Sequence, residues 1–282
     1  MTKPIIEHVS DTARWAAWYR ARETERRDAL FRDPFASRLC GARGNELVAN
    51  IPRRHRHEWS WITRTVLFDR IITEQVARGA DMVVNLAAGL DARPYRMALP
   101  PSLSWIEVDL PQILDEKEQI LAGEKPACIL ERVRMDLADA AQRRALFDRL
   151  STRATNILVV SEGLLIYLQP DEVRTLAADL AGRSGFKRWV FDMASPKLLQ
   201  LMRKTLHPLF APEVPRFGFG PPEGPDFFRP YGWNVAEVRS MLHEAAKLHR
   251  LSLLFRLLAL FPDTPAQRLR SPWSGVCLLA RD

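Results

Sequence analysis

An α/β fold built on an open, mainly parallel sheet is what this 282-residue chain predicts, and three observations carry that expectation. From Ala80 onward, short apolar runs alternate with stretches of helical periodicity, the pattern of strands joined by crossover helices. Each apolar run ends on a small or polar residue where the chain turns. Near the C-terminus, the apolar segments Leu251 to Leu260 and Gly275 to Ala280 are separated only by the loop from Pro262 to Pro272. That connection is too short for a crossover helix, so the two are expected to pair antiparallel at the sheet edge.

The elements follow in order. Ser10 to Glu25 reads as an amphipathic helix, with Ser10 or Asp11 able to cap its start, and Asp33-Pro34-Phe35 stops it. Glu58 to Ala77 is a second long helix, because Trp61, Thr65, Phe68, Ile72 and Val76 recur every three or four residues. Strands are expected at Met82 to Leu86, Trp105 to Leu110, Ile129 to Asp136, Ile157 to Glu162 and Arg188 to Asp192. Helices at Arg93 to Leu99, Gln112 to Ala122, Ala138 to Leu150 and Pro170 to Gly182 link them, with Asp171 favourably placed at a helix start. The stretch 195–233, rich in Pro, Gly and Phe, reads as an irregular, lid-like insertion. Asn234 to Leu248 is expected to be an amphipathic helix. The whole forms one domain: a helical segment (1–79), a sheet core (80–194), the insertion, and C-terminal elements (234–282).

Composition removes several function classes. Hydrophobic residues make up 47% of the chain, enough for a sizeable core. No apolar run reaches the roughly 20 residues of a membrane span, and Met1 to Glu7 holds no signal-peptide apolar region. Cys40, Cys128 and Cys277 lack metal-type spacing and read as buried free thiols in a reducing cytoplasm, so no metal site is expected. The net charge of +7 raises a nucleic-acid partner. Against it, the denser groups (Arg20, Arg22, Arg26, Arg27 and Arg53, Arg54, Arg56) are interspersed with acids or histidine, and no aromatic-and-basic RNA signature appears.

The stretch Val83 to Arg96 holds the strongest local signal. A strand breaks into the small-residue turn Ala87-Ala88-Gly89 and restarts as a helix near Asp91, a plausible N-cap. Asp109 follows Gly89 by twenty residues, at the tip of the second strand, where an acid can accept from a ribose diol. The strict G-x-G-x-x-G spacing is absent. In a doubly wound sheet, Gly89, Asp109, Asp136 and Glu162 would converge on one crevice beyond the strand ends.

Three segments are recognisable together: Asn85 to Arg93 (NLAAGLDAR), Glu107 to Pro111 (EVDLP) and Ser161 to Leu168 (SEGLLIYL). With Asp33-Pro34-Phe35-Ala36 and Ile62-Thr63-Arg64-Thr65, they resemble the motifs of the leucine carboxyl methyltransferase family and its bacterial O-methyltransferase relatives, in order over nearly the whole chain. The resemblance implies a class I, Rossmann-like methyltransferase fold with a C-terminal antiparallel strand, and S-adenosyl-L-methionine as cofactor. It places Gly89 beneath the methionine moiety, Asp109 on the ribose, Asp136 and Leu137 beside the adenine, and Glu162 near the amino group and sulfonium. It assigns Arg64 to the cofactor carboxylate, although Arg64 could instead pair with Asp69 or Glu58 on its own helix. A further basic residue in the first helix matches Arg20 or Arg22, Arg20 being preferred. Where the family usually has glycine this chain has Ala87, harmless at negative φ and obstructive at positive φ.

The expected activity is S-adenosylmethionine-dependent methylation of an oxygen on a small molecule. No histidine stands near the crevice motifs, His207 lying in the insertion and His243 and His249 on a helix surface, which leans towards a carboxylate acceptor needing no general base, although acids near the crevice could serve as bases. No catalytic residue is assigned, and Tyr167 is expected in the core. The alternatives are carboxyl methylation of a protein C-terminus, methylation of a modified tRNA nucleoside, and a non-catalytic cofactor-binding regulator.

Overall fold

The computed structural model describes residues 4–52 and 57–281, so the basic group Arg53, Arg54 and Arg56 lies outside the described residues. Seven strands form one sheet in the order β3-β2-β1-β4-β5-β7-β6. They are β1 (Met82–Leu86), β2 (Ser104–Asp109), β3 (Ile129–Arg134), β4 (Ile157–Ser161), β5 (Phe186–Ala194), β6 (Asn234–Ser240) and β7 (Ser274–Ala280). The first five are parallel, and β7 runs antiparallel between β5 and β6.

All five residues of β1 and of β4 are buried, as expected for strands covered by helices on both faces. Their side chains divide with period two. Met82, Val84 and Leu86 face a cluster with α6 (Ala140–Ser151) and α7 (Pro170–Ala181) through Phe147, Leu176 and Leu180. Val83, Leu158 and Val160 face the opposite cluster, packed by α3 (Glu58–Ala77) through Leu67, Phe68 and Ile71. The remaining N-terminal helices, α1 (Val9–Thr24) and α2 (Ala36–Asn50), pack Trp15, Tyr19, Leu47 and Val48 against Phe210, Val214 and Phe217 of the insertion. This segment therefore shares a hydrophobic cluster with the insertion.

Four expectations need correction. The N-cap of α1 is His8, not Ser10 or Asp11; Asp11 sits one turn in, where it caps the start from the third position by accepting from His8 N (3.3 Å) and Glu7 N (2.8 Å), and pairs with Arg43 (2.9 Å). The helix after β1, α4, covers only Arg93–Arg96 and its N-cap is Ala92, and α5 (Pro111–Ile120) follows β2; Asp91 accepts from Arg93 N (2.9 Å) and Asn85 Nδ2 (2.9 Å) and pairs with the Arg93 side chain. In the insertion, Pro196–Leu206 is a regular helix, α8, with Ser195 Oγ accepting from Leu198 N (3.2 Å) and proline at the first helical turn. Of its aromatic run, Phe219, Phe227 and Phe228 are core residues packed with Trp189.

The C-terminal elements also differ. Asn234 to Leu248 divides into β6 and the short helix α9 (Met241–Lys247); β6 is an edge strand whose part-buried residues follow no clean alternation and so mimic helical spacing. Leu251 to Leu260 is not a strand: its centre is α10 (Leu253–Leu258), and the antiparallel partners of β7 are β5 and β6. Strand β7 is thus internal and β6 forms the edge. Cys40, Cys128 and Cys277 are buried free thiols, with burial pushing Cys128 up to about 11 and Cys277 up to about 12. Among the described residues, no helix is long and apolar enough to cross a membrane, and no cluster of His, Cys, Asp or Glu is grouped to hold a metal.

Candidate functional site

The strand order turns back between β1 and β4, the position where doubly wound sheets open a crevice beyond their carboxyl ends. There the protein has a cavity of about 1910 Å³. Its floor is the turn after β1. Gly89 has φ +48°, and a Cβ on it would lie 3.3 Å from Ala13 Cβ, so the turn favours glycine on two counts. Gly89 N–H donates to Asp109 Oδ2 at 2.6 Å, and Leu110 N–H donates to Oδ1 at 2.7 Å. Burial pushes the Asp109 carboxyl above the usual aspartate range, against the lowering effect of those two donors.

Each sequence-predicted site residue lines this cavity. Asp136 Oδ1 accepts from Ala138 N at 2.9 Å, and the Leu137 carbonyl accepts from Arg143 Nη1 at 2.6 Å, fixing the turn after β3. Glu162 Oε1 accepts from Arg64 Nε at 3.0 Å, and its Oε2 lies 2.8 Å from Arg93 Nη1. Arg64 therefore reaches across to the sheet and does not pair with Asp69 or Glu58 on its own helix. Arg20 donates to Asp33 Oδ2 (2.8 Å) and to the Leu90 carbonyl (2.6 Å), which places it on the cavity wall. Arg22 instead lies over the Trp18 ring at 5.1 Å and outside the lining.

Sequence reasoning missed two residues that hold this set together. Asp192, near the end of β5, accepts from Arg64 Nη1 (3.3 Å) and from Gly163 N–H (2.6 Å), fixing the turn after β4. It closed the expected fifth strand, so the rule that picked out Asp109 and Glu162 could have found it too. Arg93 is 3% exposed and bridges Asp69 (2.7 Å), Asp91 (2.8 Å) and Glu162 (2.8 Å). Burial alone would raise the carboxyls of Asp69 and Asp91, but the arginines beside them hold both below the usual range. Nothing local in the sequence announces these long-range pairs.

Two further expectations change. Tyr167 lines the cavity, its ring tilted against Phe217 at 5.4 Å between centroids, and burial pushes its phenol up to about 12. Histidines do approach the cavity: His8, His57 and His243 line it. His8 and His57 are solvent-exposed. Both His243 ring nitrogens are engaged, by Ser240 Oγ at 3.0 Å and the Phe261 carbonyl at 2.9 Å.

Ala87 adopts φ +54°, the left-handed region that penalises a side chain by about 1–2 kcal/mol. Ala87→Gly relieves that strain while loosening the unfolded chain, so a net gain of about 0.5–1 kcal/mol is expected. Urea unfolding reads it directly, and an unchanged or lower midpoint would show that the turn bears no such strain.

Comparison with known proteins adds the following. A protein of Mycobacteroides abscessus named "Putative S-adenosyl-L-methionine-dependent methyltransferase" is 37% identical over 196 residues, covering 64% of this chain and 63% of its own length. Proteins of the same description from Mycobacterium bovis (35% over 181 residues; 58% of this chain, 59% of that one) and Streptomyces coelicolor (36% over 198; 63% and 68%) also match. The chain thus spans less than two thirds of the mycobacterial relatives. Two solved structures share the fold. One is a DUF574 family protein of Streptomyces avermitilis, with a TM-score of 0.58 and 13% identity over 96% of this chain and 97% of that one. The other, a protein of Thermobifida fusca titled a putative methyltransferase, has a TM-score of 0.52 and 15% identity over 94% of each. The leucine carboxyl methyltransferase model matches residues 13–181, more than half of the sequence, and the chain therefore belongs to the leucine carboxyl methyltransferase family.

Proposed function

We propose that the chain methylates an oxygen of a small-molecule acceptor, a carboxylate, with S-adenosylmethionine as methyl donor. The observation that carries this reading is one cavity with two unlike ends. At the strand ends it presents Gly89, Asp109, Asp136 and Glu162; towards α8 it is walled by Leu198, Met202, Leu206, Phe210 and Phe217. Apart from Ala87, whose methyl at positive φ stands where the family usually has glycine, the residues present fit the cofactor. Asp109 is a half-buried acid suited to a diol, Gly89 sets no side chain on the turn, and Glu162 with Arg64 and Arg20 supplies charges of both signs for an amino-acid moiety. Bound there, S-adenosylmethionine would supply an electrophilic methyl group.

The chain's own work is then positioning. A displacement at carbon needs the acceptor oxygen held in line at about 3 Å, and orientation supplies much of the rate. Tyr167, whose phenol stays protonated at neutral pH, can donate a hydrogen bond to an acceptor oxygen. A carboxylate arrives already ionised, whereas a hydroxyl usually needs a base. The histidines at the cavity are exposed or have both nitrogens engaged, which supports the carboxylate.

Calorimetry with S-adenosylmethionine, followed by a mass-detected methyl-transfer screen across carboxylic acids, phenols and tRNA, tests the proposal. Turnover should appear with a carboxylic acid and stay flat above about pH 6, since the acceptor is then fully ionised. Transfer only to phenols, with a rising alkaline limb, would replace the carboxylate by a hydroxyl. Absence of cofactor binding would remove the methyltransferase reading altogether.

A further inference from the structure

Helix α10 and the turn after it present an apolar face that the protein does not cover. Leu253, Leu254, Leu260 and Phe261 are 75%, 65%, 79% and 66% exposed, and Leu257 and Leu258 are exposed beside them. The helical hydrogen bonds continue to Phe261 through Ala259 N–H to the Phe255 carbonyl and Phe261 N–H to the Leu258 carbonyl. Inward, Phe255 packs on Trp59 at 5.5 Å between ring centroids. Scattered surface leucines are ordinary, but six large apolar side chains within nine residues form a contiguous patch of the kind that marks an interaction site.

Charge decides what fits this patch. From Leu251 to Pro272 the chain carries three arginines and one acid, Asp263, which is paired with Arg268 at 2.8 Å. Arg256, within the apolar helix, and Arg270, at the end of the next helix, α11 (Pro265–Arg270), are exposed and form no ion pair among the described residues. A two-fold contact between copies would bring one Arg256 towards the other across an interface without a carboxylate to receive either. A bilayer bearing anionic headgroups suits the same face: leucines enter the acyl boundary while arginines reach up to phosphates.

We infer that this face docks on an anionic lipid surface. The consequence for the cavity is direct. Phe255, Leu258 and Phe261 also line it, so it reaches the protein surface at the docking face, and an amphiphile held in the lipid can pass from bilayer to cavity without crossing water. The docking itself stands apart from the methyl-transfer reading, because it requires no turnover.

Co-sedimentation of the full chain with phosphatidylcholine vesicles containing phosphatidylglycerol, against phosphatidylcholine alone, tests it. Binding is expected to the anionic vesicles, to weaken with added salt, and to be lost on Leu253→Ser with Leu257→Ser. Arg256→Gln with Arg270→Gln should lower partitioning by about thirtyfold, each arginine contributing about 1 kcal/mol near an anionic surface. All four side chains are exposed, so the variants should fold, which circular dichroism checks. Failure of the wild type to bind anionic vesicles would overturn the inference, as would equal binding by the leucine variant. Sedimentation equilibrium showing a dimer that the leucine variant dissolves, with no vesicle binding, would give the face to a second copy.

Discussion

Asp109→Ala is expected to weaken S-adenosylmethionine binding by at least about a hundredfold, roughly 3 kcal/mol, because hydrogen bonds to a charged partner contribute about 1.5–3 kcal/mol each and a ribose diol offers two. The change also frees Gly89 N–H and Leu110 N–H, which Asp109 now holds at 2.6 and 2.7 Å, so the floor of the cavity loosens with the acid. Calorimetry measures the loss, and unchanged affinity would remove Asp109 from the cofactor site. Because burial raises this carboxyl, the sign of its pH dependence is fixed. Its ionised form binds, so affinity should fall as pH drops through a value above that of an ordinary aspartate, and Asp109→Asn should abolish that acid limb. For folding the sign is opposite: a raised carboxyl contributes stability at low pH that is lost as pH rises through its folded value.

Arg93→Met should destabilise the fold by about 3–5 kcal/mol, the cost of stripping the partner from a buried ion cluster. Arg93 serves Asp69, Asp91 and Glu162 at once, and the variant leaves three carboxylates without it. Asp69 keeps Arg96 at 2.7 Å and Glu162 keeps Arg64 at 3.0 Å, so Asp91 suffers most. Urea unfolding gives the size of the effect, and a loss below about 1 kcal/mol would mean the cluster relaxes around the gap. The depressed carboxyls of Asp69 and Asp91 stabilise the wild type above the unfolded aspartate value of about 3.9, and that contribution is lost as pH falls through their folded values. The variant's deficit should therefore be fullest at neutral pH and shrink in acid, where its carboxyls protonate.

What could be read from the residues alone follows from how local each signal is. Strands β1 and β4 declare themselves because every residue but Asn85 is apolar or small and every one is buried. Acids at strand ends declare themselves because parallel strands present those ends on one side of the sheet. Arg93 does not, since its partners come from α3, the turn after β1 and the end of β4. The C-terminal region misleads for a different reason. Leu251 to Leu260 looks like a strand only if apolar means buried, whereas this segment is a helix with most of its leucines in solvent. Strand β6 looks helical because it sits at the edge, with partial burial on both faces and no clean alternation. Ala87 shows the same limit in one residue: its methyl is visible in the sequence, but the sign of its φ is set by the turn around it.

The insertion of β7 between β5 and β6 bears on how the chain can be assembled. Strand β5 is synthesised some eighty residues before β7, and β6 about thirty before it, yet each takes β7 as its neighbour along Phe191↔Cys277 and Val238↔Cys277. While residues 274–280 remain in the ribosomal tunnel, one edge of β5 is open to solvent or to another nascent chain, and β6 has no sheet to join. The five-stranded parallel half can form first, but it closes only when the last strand arrives. The interval between those events is when this protein is most exposed to strand exchange, and a chaperone that masks the edge of β5 would act in that window.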